Sequence, residues 1–384
     1  MTDLVLVVVL LAAAVSARLL LWDLRTVPRG AGHREEAASV SVVIPARDEE
    51  ATLPTLLESL RRLTVDVSGI MVVDDDSQDA TALVARSAGA HVLPAGAPPP
   101  GWTGKAWACH LGAHASSEDL LLFLDADTVL APDALGGLLE LHDRHGGLVS
   151  VQPFHCVVRP YEQLSAYFNV VSLLASAAFA RGPGRRPLAF GPCLLTSRAD
   201  YERAGGHAAV RGEILDDVQL AAAYHRAGLP VRCALGGQSI WMRSYPGGIR
   251  QLADGWTKNF ASGASAAAPG PALAAVLWVS AHHAVAVGAA LALVEAATGW
   301  GTFPTYGHPA LWALAWVAVA WQLRTILNRI GSFRWWTWVL FPAPLLAFDV
   351  LFARSAALTV VRRSVQWRGR EVDLIRRGSA EEGV

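Results

Sequence analysis

Apolar residues are arranged in two ways along this chain. Between residues 40 and 245 they come in short runs broken by polar turns. Before residue 25 and after residue 270 they come in long, nearly uninterrupted stretches. Residues 40–45 (Val-Ser-Val-Val-Ile-Pro) are a β-branched run closed by proline, which predicts a buried strand. Residues 51–62 carry Leu53, Leu56, Leu57 and Leu60 at helical spacing. Residues 69–73 predict a second strand, which ends in Asp74-Asp75-Asp76; 80–88 predict a helix and 91–93 a short strand. Residues 120–124 are a strong strand running into Asp125-Ala126-Asp127, and 132–142 predict a helix. Strands alternating with helices predict a doubly wound, mostly parallel α/β sheet. Such sheets bind ligands beyond the carboxyl ends of their strands, and both acidic clusters fall at such ends.

The long stretches suit a different solvent. Residues 4–22 are about long enough to cross a hydrocarbon core of roughly 30 Å. Ala14-Val15-Ser16-Ala17 resembles a signal cleavage site, but Met1-Thr2-Asp3 lacks the positive start of a signal peptide, so an uncleaved anchor is expected. Arg18, Arg25, Arg29 and Arg34 follow it and predict a cytoplasmic location for what comes next. Three more apolar stretches occupy residues 273–297, 309–327 and 335–361. Arg324, Arg329 and Arg334 precede the third, and Arg362, Arg363, Arg368 and Arg370 follow it, so both its ends read as cytoplasmic. Pro342, Pro344, Asp349 and Arg354 inside it suit a broken or re-entrant hairpin held against protein. Whether it spans, re-enters or hairpins is left open by the pattern. His282, His283 and Glu295 are unusual in lipid and are expected to face neighbouring helices or the interface.

Residues 248–264 place Ile249, Leu252, Trp256 and Phe260 on one helical face, with Arg250, Asp254, Lys258 and Asn259 off it, as in a helix resting at a membrane interface. The expected organisation is therefore an anchor (1–24), a cytoplasmic α/β domain (38–245), an interface helix (246–268), membrane segments (271–361) and a cytoplasmic tail (362–384), a multi-pass protein of the cell membrane.

Composition agrees with this division. Of 384 residues, 53% are hydrophobic and 17% charged, against about 25% charged in ordinary globular chains. The net charge of −1 lacks the basic excess of nucleic-acid binders, so no such partner is expected. Cys109, Cys156, Cys193 and Cys233 form no C-x-x-C pair and read as reduced thiols.

The chemistry lies in the acidic clusters. Asp125 and Asp127, two residues apart at a strand end, point to the same side. Hard divalent cations such as Mg2+ and Mn2+ are held by one or two carboxylates plus substrate phosphates. A polar strand end is the plainer reading of the pair alone. Asp74-Asp75-Asp76 crowds negative charge in a way that binding or solvation must relieve, and Asp75 suits hydrogen bonding to a nucleoside. The proline-rich loop 94–105 ends in Gly101-Trp102-Thr103-Gly104-Lys105; Lys105 can act as a point charge on a diphosphate, and Trp102 can cover the site or pack on it. Leu215-Asp216-Asp217-Val218-Gln219-Leu220 opens a helix through Tyr224, where the helix dipole favours acidic residues regardless of function.

Ile44-Pro45-Ala46-Arg47-Asp48-Glu49-Glu50, Val72-Val73-Asp74-Asp75-Asp76-Ser77, Asp125-Ala126-Asp127 and Leu215-Asp216-Asp217, in this order, resemble the motifs of family 2 glycosyltransferases with the GT-A fold. Pro99-Pro100-Gly101-Trp102-Thr103-Gly104-Lys105, Gly191-Pro192-Cys193, the stretch from Tyr201 to Gly206-His207, and Tyr245-Pro246-Gly247-Gly248 resemble the diaponeurosporenoate glycosyltransferases of carotenoid biosynthesis. Part of the pattern resembles hopanoid-associated glycosyltransferases, and Trp367-Arg368-Gly369-Arg370 resembles the tail of ceramide glucosyltransferases.

The resemblance implies an inverting hexosyltransferase that uses a UDP-sugar, a divalent metal (Mg2+ or Mn2+) and a lipid-soluble isoprenoid acceptor. It implies nucleoside contacts from Pro45, Glu49 and Asp75, and donor contact from Lys105. Asp125 and Asp127 would hold diphosphate and metal, and Asp217, with Asp216 beside it, would serve as base. Asp48 and Asp216 stand where many members have asparagine and glutamate. The Q-x-x-R-W motif of processive members is absent; Arg250, Gln251, Trp256 and Lys258 occupy that region and, with Trp102, are the candidate acceptor contacts. Competing readings are a polyprenyl-phosphate sugar synthase, for which Arg243 and Arg250 could serve, a sphingolipid or sterol glucosyltransferase, and an inactive membrane protein of the same fold.

Overall fold

A computed structural model describes residues 2–30, 39–180, 188–213, 215–263, 268–298, 309–362, 364–367 and 370–373. After helix α1 (Thr2–Leu20) the chain builds β1 (Val40–Ala46), α2 (Leu53–Arg61), β2 (Gly69–Asp74), α3 (Thr81–Ser87), β3 (His91–Pro94), α4 (Gly104–Ala115), β4 (Leu120–Leu124), β5 (Thr128–Leu130) and α5 (Ala134–His145). It continues through β6 (Leu148–Gln152), β7 (Phe154–His155), a 3-10 turn (Pro160–Ser165), α6 (Ala166–Ser176), β8 (Cys193–Ser197), α7 (Arg198–Arg203), a second 3-10 turn (Gly206–Val210), α8 (Asp216–Arg226), β9 (Val231–Leu235) and β10 (Ile240–Met242). The last part holds α9 (Ile249–Gly263), α10 (Pro269–Thr298), α11 (Pro309–Ile330), α12 (Trp335–Val339), α13 (Pro342–Arg362) and the hairpin β11 (Ser364–Trp367) with β12 (Arg370–Asp373).

The main sheet has the order β3-β2-β1-β4-β8-β6-β9. Strands β3, β2, β1 and β4 are parallel, β8 runs antiparallel to β4 and β6, and β6 is parallel to β9. The sheet is thus mostly parallel, as the strand-helix alternation predicts. Every residue of β4 is buried because helices cover both faces. On one face Leu53, Leu56, Leu57 and Leu60 of α2 join Leu135, Leu138 and Leu139 of α5; on the other, α4 and α8 supply Ala108, Ala113, Leu220 and Tyr224. Full burial of each such leucine is worth about 1.5–3 kcal/mol. A smaller sheet, β5-β10-β7, flanks the carboxyl end of β4.

The helix predicted over 132–142 begins after Pro132 and runs on to Gly146, whose φ of 64° ends it. The loop predicted over 94–105 gives way at Gly104 to α4, whose start Thr103 caps by accepting from the Ala106 N–H. Asp48, which stands where the resemblance leads one to expect asparagine, has φ 53° and accepts the Gln78 N–H at 2.7 Å. Both residue types tolerate that left-handed geometry and both offer the oxygen, so the exchange preserves the turn.

Helices α10 and α11 are long and apolar enough to cross a membrane, with mean hydropathy 1.7 and 1.4; the apolar part of α1, residues 6–20, is shorter. Large apolar side chains are exposed on all of them, among them Leu4, Val8 and Leu11 on α1, Leu273 and Leu293 on α10, and Leu314 and Trp321 on α11. Trp278 Nε1 donates to Gln322 Oε1 at 2.8 Å, and Gln322 Nε2 donates to the Ala14 carbonyl at 3.1 Å, tying α10, α11 and α1 together.

The third C-terminal stretch is broken. The Arg334 N–H donates to Gln163 Oε1 of the first 3-10 turn, at the α/β domain. Then α12 rises until Trp316 of α11 donates to the Val339 carbonyl, and Phe341 is buried against Trp316 and His282. The chain reverses at Pro342, and α13 returns to α9, where Arg354 pairs with Asp254 at 2.7 Å and Ser355 donates to the Thr257 carbonyl. The middle of the apolar face of α9 is accordingly covered, since Trp256 stacks on Phe168 with ring centroids 4.7 Å apart and Leu252 is buried, while Ile249 at its start is exposed. Of the residues expected at the interface, the side chains of Lys258, Asn259 and Phe260 lie outside the described residues, as do Arg34, Arg363, Arg368 and Gly369.

Candidate active site

The carboxyl ends of β1, β2 and β4 open toward one edge of the sheet. At the end of β4 the Asp125 N–H donates to the Pro192 carbonyl at 3.0 Å, and the Thr128 N–H donates back to the Asp125 carbonyl. This turn projects Asp125 and Asp127 from the sheet. Lys105, in the first turn of α4, reaches across to Asp125 with Nζ 2.7 Å from Oδ1. Asp216 and Asp217 open α8. Asp217 Oδ2 accepts the Gly191 N–H at 2.8 Å, and its Oδ1 accepts the Val218 N–H at 2.9 Å. Pro45, Lys105, Asp125, Asp216 and Asp217 line one small cavity with His207.

Electrostatics sharpen the picture. Burial works against the charge on Lys105, but Asp125 and Asp216 outweigh it and hold its pKa well above the usual value. Burial raises Asp217 to about 6, with Asp216 adding to the rise and Lys105 opposing it. Burial raises Asp127 to about 7, helped by the negative charges of Asp125 and Glu49. Asp127 receives no ion pair among the described residues, while Lys105 is taken by Asp125. No group of three or more His, Cys, Asp or Glu side chains among the described residues is arranged to hold a metal ion by itself.

The nucleoside candidates stand on the loops after β1 and β2, which are laced together. The Glu49 N–H donates to Thr81 Oγ1 at 2.7 Å, and the Glu50 N–H donates to Asp79 Oδ2 at 3.0 Å. The Asp75 N–H donates to the Ala46 carbonyl, and Arg47 Nη1 lies 3.7 Å from Asp75 Oδ2. Gly104 packs directly on Asp75: a Cβ there would stand 2.2 Å from Oδ2. Gly104→Ala is therefore expected to displace the Asp75 carboxylate and weaken nucleotide binding about tenfold or more, on the scale of one lost charged hydrogen bond. Calorimetric titration with UDP checks this.

Sequence reasoning did not foresee three participants. The Gly191 amide, on the segment before β8, fixes Asp217. His207 is buried at the cavity; Tyr201 OH accepts the His207 backbone N–H at 3.0 Å and shares a hydrogen bond of 2.9 Å with Nδ1. Burial, with Lys105 and His110 adding to it, pushes the His207 imidazole down to about 3, so it stays neutral. Tyr245 lies close enough to Asp127 to feel its charge. The Gly-Gly-His turn and the Tyr-Pro-Gly-Gly motif are the signals that mark the last two.

Of the candidate acceptor contacts among the described residues, Trp102, Arg250, Gln251 and Trp256, none lines the cavity. Trp102 is half-buried against Trp107 and His110. Trp256 is buried on Phe168, Arg250 is exposed, and Gln251 Oε1 accepts the Gly247 N–H at the start of α9.

A mostly parallel α/β sheet with an acidic, lysine-bridged edge of this layout is that of a GT-A glycosyltransferase. Residues 41–202 match the family model described as glycosyl transferase family 2. A 4,4'-diaponeurosporenoate glycosyltransferase of Staphylococcus haemolyticus is 39% identical over 253 residues, 64% of this chain and 67% of the relative. One from Staphylococcus aureus is 33% identical over 342 residues, 88% of each chain. The chain belongs to glycosyltransferase family 2. Among solved structures, a mannosyltransferase from Pyrobaculum calidifontis in complex with GDP-Man and Mn2+ has the same fold, with a TM-score of 0.54 at 20% identity over 92% of this chain and 99% of that one.

Proposed function

We propose that this enzyme is an inverting hexosyltransferase, which moves a sugar, glucose in our reading, from a UDP-sugar to the carboxyl or hydroxyl end of a lipid-soluble isoprenoid. The observation that carries this reading is the meeting of Lys105, Asp125 and Asp217 in one cavity, with Asp127 two residues beyond Asp125. The acceptor class follows the relatives, which are named for diaponeurosporenoate.

Asp125 and Asp127 fit a divalent cation, Mg2+ or Mn2+. They are hard oxygen donors with excess negative charge, and too few to complete a site without substrate phosphates. When bound, such an ion would neutralise the diphosphate as it leaves. Lys105 would release Asp125 and stabilise the same charge as a point cation. Pro45, Glu49 and Asp75 would cradle the nucleoside. Asp217, held from two sides by the Gly191 and Val218 amides, would take the acceptor proton or orient an acceptor already ionised. Of the two arginines that a phosphate-bearing acceptor could use, Arg243 is already neutralised by buried Glu162 at 2.6 Å, whereas Arg250 is exposed.

The exposed apolar faces of α1, α10, α11 and α13 support a membrane location, at the plasma membrane with the α/β domain cytoplasmic. In that frame α12 and α13 form a re-entrant hairpin, since both of its ends meet parts of the chain on the domain side. Incubation of the purified protein with UDP-glucose, Mn2+ and extracted isoprenoid lipids, followed by mass spectrometry, tests the reading; no hexosylated lipid with any UDP-hexose would refute it.

A base with a pKa near 6 also fixes a pH profile. Asp217 must be ionised to accept a proton, so kcat/KM is expected to hold above pH about 6 and to fall tenfold per pH unit as pH drops below it. A flat kcat/KM between pH 5 and 7 would contradict that role.

A further inference from the structure

One charged cluster in the described part of the membrane helices is unused by the reaction. His283 of α10 and Asp349 of α13 meet with Nε2 2.7 Å from Oδ2, and both side chains are about two-fifths exposed, at 41% and 39%. Around them the surface is apolar: Val276 and Val287 on α10, and Leu346, Val350 and Phe352 on α13, are all exposed. A polar pair facing lipid is costly, and such residues generally mark a substrate path.

Proton accounting defines what the pair can bind. His283 Nδ1 lies 2.9 Å from the Val279 carbonyl. A carbonyl only accepts, so Nδ1 carries hydrogen. The Nε2 to Oδ2 contact then shares a single proton, whichever atom holds it. Asp349 Oδ1 has no hydrogen-bond partner among the described residues. It remains an acceptor in either case, open to a donor arriving along this apolar surface.

Between this point and the α/β domain lies a run of packed rings: Phe348, beside Asp349, packs on Phe168 at 5.3 Å, Phe168 stacks on Trp256 at 4.7 Å, and Trp256 meets Tyr245 at 6.1 Å.

We infer that Asp349, oriented by His283, is the docking point for the O–H end of the isoprenoid acceptor, a carboxylic acid or an alcohol, before that end reaches Asp217. This rests on the lipid-acceptor reading above. A carboxylic acid dissolved in lipid is protonated, because burial disfavours its ion, and so it can donate to Oδ1.

The test uses the full chain in phosphatidylcholine nanodiscs, with retinoic acid as an isoprenoid acid and its methyl ester as the matched molecule without the donor. Binding is read by energy transfer from tryptophan to the polyene. The wild type is expected to bind the acid about tenfold more tightly than the ester, the value of one hydrogen bond to a charged group. The double variant His283→Leu/Asp349→Leu is expected to lose that preference while UDP binding stays unchanged. Asp349→Asn, a gentler change, is expected to reduce the preference and likewise keep UDP binding. Equal binding of acid and ester by the wild type, or an unchanged preference in both variants, overturns the inference. Hexose transfer to extracted isoprenoid lipids is measured in parallel. An Asp349-dependent preference without any transfer removes the substrate reading and leaves the docking site. Transfer with an unchanged acceptor KM in the double variant removes the docking site and leaves the reading.

Discussion

Asp217→Asn is expected to lower kcat by about a thousandfold while changing donor affinity less than threefold, the range that a positioned general base supplies. The substitution is nearly isosteric. Asparagine keeps one oxygen for the Gly191 N–H that Asp217 Oδ2 now accepts at 2.8 Å, so the loop before β8 should stay where it is, while its NH2 group gives up the Val218 N–H that Oδ1 accepts at 2.9 Å. What disappears is the proton acceptor. Asp216 is a poor substitute, since its Oδ1 already accepts the Asp217 N–H at 3.1 Å. Single-turnover kinetics with UDP-glucose, set beside calorimetric donor titration, separates the two quantities. Parallel loss of both would mean that Asp217 serves donor binding, and the base would have to be sought elsewhere.

The same residue illustrates what a sequence can and cannot disclose. Strands β1, β2 and β4 were readable because parallel strands covered on both faces become continuous apolar runs, and β4 is Leu-Leu-Leu-Phe-Leu. The acidic motifs at their ends were readable for the same reason, since a strand end locates them. Strand β8 (Cys-Leu-Leu-Thr-Ser) is marked in the sequence only by the Gly191-Pro192-Cys193 that leads into it. Its insertion between β4 and β6 is a long-range pairing with no local signature. That insertion carries the Gly191 amide to Asp217, so the carboxylate was predictable and its anchor was not.

Helix α9 repeats the lesson. Its periodicity was correct, and Leu252 and Trp256 do share one face. What covers those two residues is α6 and α13, and α13 begins at Pro342, far along the chain, while Ile249 stays exposed. Amphipathicity reports that a face must be covered, without saying whether lipid or protein covers it. The reversal at Pro342 was legible because proline favours a helix's first turn and breaks its interior. Which residues receive the two arms was not.

Asp127→Ala is expected to abolish the dependence of donor binding on divalent cation and to lower activity by two orders of magnitude or more, the scale on which removing one well-placed stabilising group acts. Asp127 should matter more than its partner for a reason visible in the geometry. Asp125 is already compensated by Lys105 at 2.7 Å, whereas Asp127 has burial, Asp125 and Glu49 all acting against its charge. A cation would relieve that repulsion, so Asp127 is where binding energy for the ion is stored. The sign with pH follows. Below about 7 the carboxyl of Asp127 is protonated and must lose its proton to take a metal, so Mn2+-dependent UDP affinity should weaken as pH falls from 8 to 6, and the variant should lack that dependence. The converse change, Lys105→Ala, should leave Asp125 uncompensated and strengthen cation retention in the absence of donor, even as donor affinity falls. Mn2+ titrations followed by electron paramagnetic resonance, with and without UDP, measure both effects. If Asp127→Ala retains the wild-type Mn2+ requirement for UDP binding, the carboxylates at the end of β4 do not hold the ion.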